Sequence, residues 1–360
     1  MIRILHAADL HLDSPFAALD PAQAAHRREE QRVLVRRLAE ECDRLDCQIL
    51  LLAGDLFDSN RVYRETAELL CRTLGGVRAR VFIAPGNHDP YSPVSPYATL
   101  VWPKNVHIFR TRTIEAVSLQ DPAVTIYGAA FTEAREPGLW NGFTAAADGN
   151  RQIMVIHGTL GDAVSVYNPI PEKAVSASGL DYLALGHTHA RVIRLFGHTT
   201  AAYPGCAMGR GFDETGRKGA LYVELDENGC RVSPVFLGGR VYETCSVPAG
   251  NDPLTAIEAA LPRNTERDIY RITLTGTAPA PDLDALRAAL ASRFYGLELV
   301  DRTLPPQALW LDLGENSLKG EFLRQLKAEY DGQSETDRRR AADAARLGLA
   351  VMEGREVPEP

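Results

Sequence analysis

The stretch "ILLLAGDLFDSN", residues 49–60, runs four aliphatic residues almost directly into an aspartate, and a second aspartate follows three positions later. A short apolar run closed by glycine reads as a buried strand that ends in a sharp turn. Asp55 then stands at the lip of the core, where a carboxylate needs a positive partner. The rest of the chain has to supply it.

On either side of this stretch the pattern alternates. A strand near 2–7 and an amphipathic helix near 21–45 precede the strand at 48–53, and a helix near 62–75 and a strand at 80–84 follow, which together make a βαβαβ unit on a parallel sheet. Beyond residue 100 strands dominate, at 106–109, 123–128, 152–156, 181–185, 191–195, 199–203, 219–225 and 231–236. The expected class is α/β, with two packed sheets and outer helices over residues 1–240. The segment "LGGRVYETCSVPAGNDP" reads as a boundary because glycine and proline cluster in it. After it, "RDIYRITLTG", "DLDALRAALASRF" and "LELVDRTL" predict a smaller β-α-β cap, an α+β unit over 241–314. Residues 315–360 predict a charged helical tail with Leu318, Phe322 and Leu326 on one face, a stripe more typical of ordinary packing than of a partner surface.

Composition limits the alternatives. With 360 residues and 45% hydrophobic content the chain can bury a sizeable core. A formal net charge of -8 is not that of a basic nucleic-acid-binding domain, so a polyanionic substrate would have to be drawn by a local field. Cys42, Cys47, Cys71, Cys206, Cys230 and Cys245 show no CxxC spacing and read as reduced, mostly buried thiols. The opening "MIRILHAADLHLD" is too short and too polar for a signal peptide or a membrane span, and no later apolar run is long enough, so a cytoplasmic location without membrane attachment is expected.

Five motifs each follow an apolar run: "AADLHLD" (Asp9, His11), "LLAGDLFD" (Asp55), "FIAPGNHD" (Asn87, His88, Asp89), "IMVIHG" (His157) and "YLALGHTH" (His187, His189). Taken singly, a histidine at a strand end is more often structural than ligating, and a Gly-Asp turn is common. Taken jointly they point to convergence, because ligands in open α/β sheets bind beyond the carboxyl ends of the strands. Gly54, Gly86, Gly158 and Gly186 adjoin these residues, either as plain turn residues or to let the backbone approach an ion. Asp9 and His11, two apart, are expected to project to one side of extended backbone, as are His187 and His189.

Two aspartates, one asparagine and four histidines are too many donors for one catalytic metal with open positions and about right for two, with Asp55 the candidate bridge. Nitrogen and oxygen ligands admit manganese, iron, zinc or magnesium, and a mixed carboxylate and imidazole set suits manganese. Two divalent cations outweigh two aspartates and leave room for an anion, and a metal pair can polarise a phosphoryl oxygen and stabilise a leaving oxygen. His88 need not bind metal; positioned by Asp89, it could protonate a leaving alkoxide. Asp58 could orient that histidine or cap the next helix.

"DLHLD", "GDLFD", "GNHD", the strand-end histidine and "GHTH" resemble the calcineurin-like metallophosphoesterases, over most of residues 1–240. The resemblance implies a four-layer αββα sandwich with Asp9, His11, Asp55 and His189 on one ion, and Asp55, Asn87, His157 and His187 on the other. It also places His88 at the catalytic histidine position. "ILHAADLHLDSPF", "YNPIPEKAVSASGLDYLALGHTH" and "YPGCAMGRGFDETGRKG" look like the SbcD-type DNA repair nucleases, in particular the YhaO-like exonuclease group. Archaeal and eukaryotic members carry a histidine where this chain has Asp58, so a second catalytic histidine is not implied. Such nucleases imply DNA as substrate, a homodimer, and a coiled-coil ATPase partner of the SMC type. The C-terminal cap matches them by class only.

Three functions compete: a manganese-dependent DNA exonuclease, which could also cut internally; a small-molecule or cyclic-nucleotide phosphodiesterase or phosphatase with the same metal ligands; and a non-catalytic scaffold that binds DNA ends, which a complete ligand set disfavours. In the first, Arg61, Arg64, Arg191, Arg210 and Arg217, near the expected metal-site loops, would hold flanking phosphates, although at any single position a solvated surface residue is the more ordinary reading.

Overall fold

A computed structural model of the chain describes residues 1–17, 19–59, 61–304, 307–332 and 334–352. They form two compact units, Met1–Val241 and Tyr242–Pro360.

The first unit opens with β1 (Ile2–Ala7), α1 (Pro21–Arg44), β2 (Ile49–Leu52), α2 (Arg64–Gly76), β3 (Arg80–Ile83), α3 (Pro96–Thr99) and β4 (Val106–Ile108). Next come β5 (Glu115–Leu119), β6 (Val124–Gly128), β7 (Arg151–His157), β8 (Thr159–Leu160), β9 (Pro169–Ile170) and α4 (Glu172–Ala177). β10 (Tyr182–Gly186), β11 (Val192–Phe196), β12 (Thr199–Tyr203), β13 (Gly219–Asp226) and β14 (Gly229–Phe236) complete it. One six-stranded sheet has the order β14-β13-β1-β2-β3-β4, and the other β11-β12-β10-β7-β6-β5. β1 through β4 are parallel, as are β6, β7, β10 and β12.

The alternation of β2 shows how these sequences make layers. Ile49 and Leu51 pack between the sheets against Phe82, Ile153, Val155 and Tyr182. Leu50 and Leu52 face the other way, onto Leu34 and Leu38 of α1 and Leu70 and Leu74 of α2. A strand buried on both faces needs apolar residues at every position, which is why the run is continuous. The outer face of the second sheet is covered by Leu139, Trp140 and Val175, so a short helix and an irregular segment form that layer. This is the expected arrangement of two sheets with outer helices. Its first long helix begins cleanly: Asp20 accepts the Ala22 and Gln23 N–H groups, and Pro21 follows at the first helical position.

The second unit holds β15 (Tyr242–Pro248), α5 (Pro253–Ala260), β16 (Ile269–Thr275), α6 (Leu283–Leu290) and β17 (Gly296–Asp301), with the parallel order β15-β16-β17. The segment read as a boundary therefore contains a strand: β15 lies inside it, and the cap is βαβαβ rather than β-α-β. Glycines and prolines at both ends hide a run whose exposed positions alternate with covered ones. α7 (Leu318–Gly332) and α8 (Glu335–Met352) close the unit. Phe322 and Leu326 pack with Trp310, Leu323 and Leu349, while Leu318 is exposed. Residues 333 and 353–360 of the expected helical tail lie outside the described residues. No described helix is long and apolar enough to cross a membrane, and all six cysteines are free thiols, four of them buried.

Candidate metal centre

β1, β2, β3, β7 and β10 run parallel within their sheets, and the residues singled out from sequence lie where these strands end. Past the ends the backbones stay paired: Asp9 N–H donates to Gly54 O at 3.0 Å, His11 N–H to Asp55 O at 3.0 Å and Leu12 N–H to Leu56 O at 2.8 Å. Asp9, His11, Asp55 and His187 have φ of 52°, 43°, 51° and 107°. The expectation that Asp9 and His11 share a side because their backbone is extended is thus incorrect, and the same holds for His187. Left-handed kinks aim these side chains, at a cost of order 1–3 kcal/mol each that only a well-packed surround maintains.

Two glycines make the convergence possible. A Cβ on Gly54, whose φ is +85°, would stand 2.6 Å from His157 Nδ1; one on Gly186 would stand 1.8 Å from Ala53 O. That carbonyl accepts the His157 Nδ1–H at 2.8 Å, which leaves Nε2 with its lone pair turned inward.

Donor atoms of Asp9, His11 and His189 lie within 4.8 Å of one another, and so do those of Asp55, His157 and His187. Asp55 joins the groups: its Oδ2 is 3.4 Å from His157 Nε2 and 4.0 Å from His11 Nε2, while its Oδ1 accepts the His88 N–H at 2.8 Å. Asn87 Oδ1 is 2.9 Å from His157 Nε2 and 3.1 Å from His187 Nδ1. Asp9 accepts the His187 N–H at 3.0 Å. All seven residues proposed as ligands from the sequence are brought together.

The electrostatics ask for cations. His11 Nε2 and His189 Nε2 are 3.1 Å apart, although the Nδ1 atom of each faces a carboxylate: Asp58 at 3.3 Å, misaligned for a hydrogen bond, and Glu214 at 2.7 Å. With a proton on each Nδ1, two lone pairs oppose one another unless a positive ion lies by them. Burial holds His11 and His157 below the ordinary histidine range, and burial together with His157 brings His187 down to about 4. Neutral imidazoles are the ligating form. Burial and the neighbouring Asp55 carboxylate push Asp9 well above the usual carboxylate range, so the pocket resists two bare anions. These nitrogen and oxygen donors fit two divalent ions, one per group, sharing Asp55.

Some expected roles change. Asp89 does not position the His88 ring: its carboxylate accepts the backbone N–H groups of Asp55, Leu56, Phe57 and Gly86 and the Tyr97 hydroxyl. It clamps the two loops that carry Asp55 and Asn87. The His88 ring, exposed beside His11 at 4.8 Å between centroids, instead meets Asp58 O through Nδ1 at 2.9 Å. Asp58 therefore orients His88 through its backbone carbonyl, and it caps nothing, since α2 begins at Arg64 behind Tyr63. Arg210 is held by Asp58 at 2.9 Å and Glu214 at 2.7 Å and so positions the carboxylates behind His11 and His189 rather than reaching for phosphate. Arg64 is exposed and paired with Glu68, and Arg61 is exposed. Arg191 and Arg217 are exposed beside Phe236.

Glu214 is the functional residue that motif reading passes over. Burial alone would push its carboxyl up, but the His189 ring and the Arg210 guanidinium outweigh burial and hold it well below the usual range. Its only sequence signal is a place inside "GRGFDETGRKG", four residues after Arg210. Asn168 is a second: its side chain donates to His157 O at 2.8 Å and accepts the Leu139 and Trp140 N–H groups.

Known proteins share this arrangement of sequence. Over 236 residues the chain is 31% identical to the metallophosphoesterase YhaO of Bacillus subtilis, covering 62% of this chain and 57% of that protein. The DNA double-strand break repair protein Mre11 of Methanopyrus kandleri is 25% identical over 257 residues, 63% of this chain and 55% of that one. Its namesake in Aeropyrum pernix is 26% identical over 246 residues, 62% of this chain and 58% of that one. The chain thus spans less than two thirds of the length of these relatives. The sequence model of the calcineurin-like phosphoesterases matches residues 2–191, more than half of the chain, and the chain belongs to that family.

Proposed function

We propose that this chain is a two-metal DNA nuclease that hydrolyses phosphodiester bonds, acting from strand ends and with manganese as its working ion. The observation that carries the hydrolytic part is Asp55 Oδ2, set between Nε2 of His157 and Nε2 of His11 so that one carboxylate serves both donor groups. In this reading Asp9, His11, Asp55 and His189 hold one ion, and Asp55, Asn87, His157 and His187 the other. Bound there, the pair supplies Lewis acidity toward a phosphoryl oxygen and activates a water. The chain's residues do the rest. Glu214 and Ala53 O fix the tautomers of His189 and His157, Asp89 locks the loops, and His88 as imidazolium, its Nδ1–H held by Asp58 O, gives its Nε2 proton to the leaving oxygen and ends as the neutral ring.

DNA as substrate is supported by the repair role printed in the names of the two archaeal relatives. Purified protein with manganese, assayed on labelled duplex and single-stranded DNA beside cyclic nucleotides, tests it. Shortened DNA is the expected product; turnover of the small esters alone removes the nuclease reading. The net charge of -8 favours that second reading, a small-molecule phosphodiesterase with the same ligands. The resemblance further supports a homodimer acting in the cytoplasm with an SMC-type ATPase. Light scattering that finds a monomer at every concentration removes the dimer.

A further inference from the structure

We infer that Phe236, with Arg191 and Arg217, forms a stacking platform for an unpaired nucleotide of the strand held at the metal centre. The inference rests on DNA being the substrate and adds which form of it the site engages.

Register places Phe236 at the metal edge. β1 runs toward Asp9, and its His6 pairs with Leu221 of antiparallel β13, so the start of β13, Gly219, lies beyond that pair in the direction of Asp9. Gly219 in turn pairs with Phe236 at the end of β14. Phe236 is thus level with the end of β1 and two strands away, roughly 10 Å at ~4.8 Å per strand. The other members come from the site's own loops. Arg191 follows the candidate ligand His189 by two residues, and Arg217 precedes Gly219 by two.

The chemistry of the patch is that of a single-strand binder. Phe236 is 46% exposed on an edge strand, where an aromatic ring gains little from the core. The guanidinium carbons of Arg217 and Arg191 lie 5.4 and 6.0 Å from its ring centre. Neither arginine has a carboxylate partner among the described ion pairs, whereas Arg210, nearer the ligands, is held by Asp58 and Glu214. Two unneutralised guanidinium groups lying over an exposed ring combine attraction for phosphate with planar surfaces, guanidinium and ring, on which any base can stack. Bases in a duplex already stack on their neighbours, so the platform selects an unpaired end.

The test is fluorescence anisotropy of a labelled single-stranded oligonucleotide with the full chain in EDTA, so that no bond is cut, over a salt series. Phe236→Ala is expected to bind about tenfold more weakly and Phe236→Trp at least as tightly as the unmodified chain. Arg191→Gln combined with Arg217→Gln is expected to flatten the slope of log affinity against log salt by about 1.4, which is ~0.7 per lost phosphate contact. Thermal melting checks each variant for folding, and if the Phe236 variants do not fold the arginine pair carries the test. Unmodified chain that binds DNA while all variants match it overturns the platform and leaves the nuclease reading standing. Unmodified chain that does not bind here overturns the platform, and if it also fails to cut DNA in the manganese assay the nuclease reading falls with it.

Discussion

Glu214 Oε1 lies 2.7 Å from His189 Nδ1, and the same oxygen takes Arg210 Nη2 at 2.7 Å. A carboxylate behind a ligating imidazole fixes its tautomer and makes the far nitrogen a better donor. Glu214→Ala should therefore weaken binding of one ion, that on His189, by roughly 10- to 100-fold while the other is retained. Isothermal titration with manganese reads this as one weakened site and one unchanged; two unchanged sites would mean that Glu214 only braces Arg210.

His88 and Asp55 should separate chemistry from metal binding. The His88 ring is exposed and tied to Asp58 O, whereas Asp55 is buried between the donor groups. His88→Ala is expected to keep both ions and lose about 10²–10⁴-fold in turnover, the usual range for a proton-transferring residue. Asp55→Asn should lose metal as well. Elemental analysis decides between them, and an empty His88→Ala protein moves that histidine among the ligands.

Asp89 is a structural clamp with a measurable contribution. Asp89→Ala would leave four backbone N–H groups and the Tyr97 hydroxyl without their acceptor in a buried place. The expected loss is about 3–5 kcal/mol of unfolding free energy, and Tyr97→Phe should lose about 1–2 kcal/mol. Denaturant unfolding of the metal-free protein measures both. A loss within about 0.5 kcal/mol for Asp89→Ala contradicts the clamp.

His6 lies between the two sheets, its Nδ1 2.8 Å from the Tyr182 hydroxyl. Burial, only partly offset by a backbone contact at Leu185, lowers its pKa to about 3. In the unfolded chain the ring takes a proton near pH 6.5, and in the folded chain only near 3. Stability tied to this residue is thus present above pH 6.5 and lost as pH falls toward 3, by at most ~1.4 kcal/mol per pH unit. His6→Gln should make the fall in melting temperature between pH 7 and 4.5 shallower. An equally steep fall would show that His6 is not buried in its neutral form.

The strand ends were legible because two-sided burial writes itself as unbroken apolar runs, and because glycine marks the turn in four of the five motifs. β5 was not legible: "EAVSL" is an edge strand of half-covered residues with no run to find. β15 was hidden between glycines and prolines. In the site, the candidate ligands carry their chemistry in residue type, so spacing reveals them. The residues behind them do not. Asp89 stands inside the motif that holds His88, yet its partners are backbone N–H groups, which no side-chain pattern announces. Arg210 looked like a phosphate ligand by its charge and its place near the ligand motifs, and only the fold shows Asp58 and Glu214 already on it.

Anomalous diffraction from crystals grown with manganese tests the central claim most directly. The account predicts two manganese peaks about 3.5–4 Å apart with the Asp55 carboxylate between them. One peak would lie against Asp9, His11 and His189, and the other against Asn87, His157 and His187. A single peak, or peaks that leave Asp55 without metal, would contradict it.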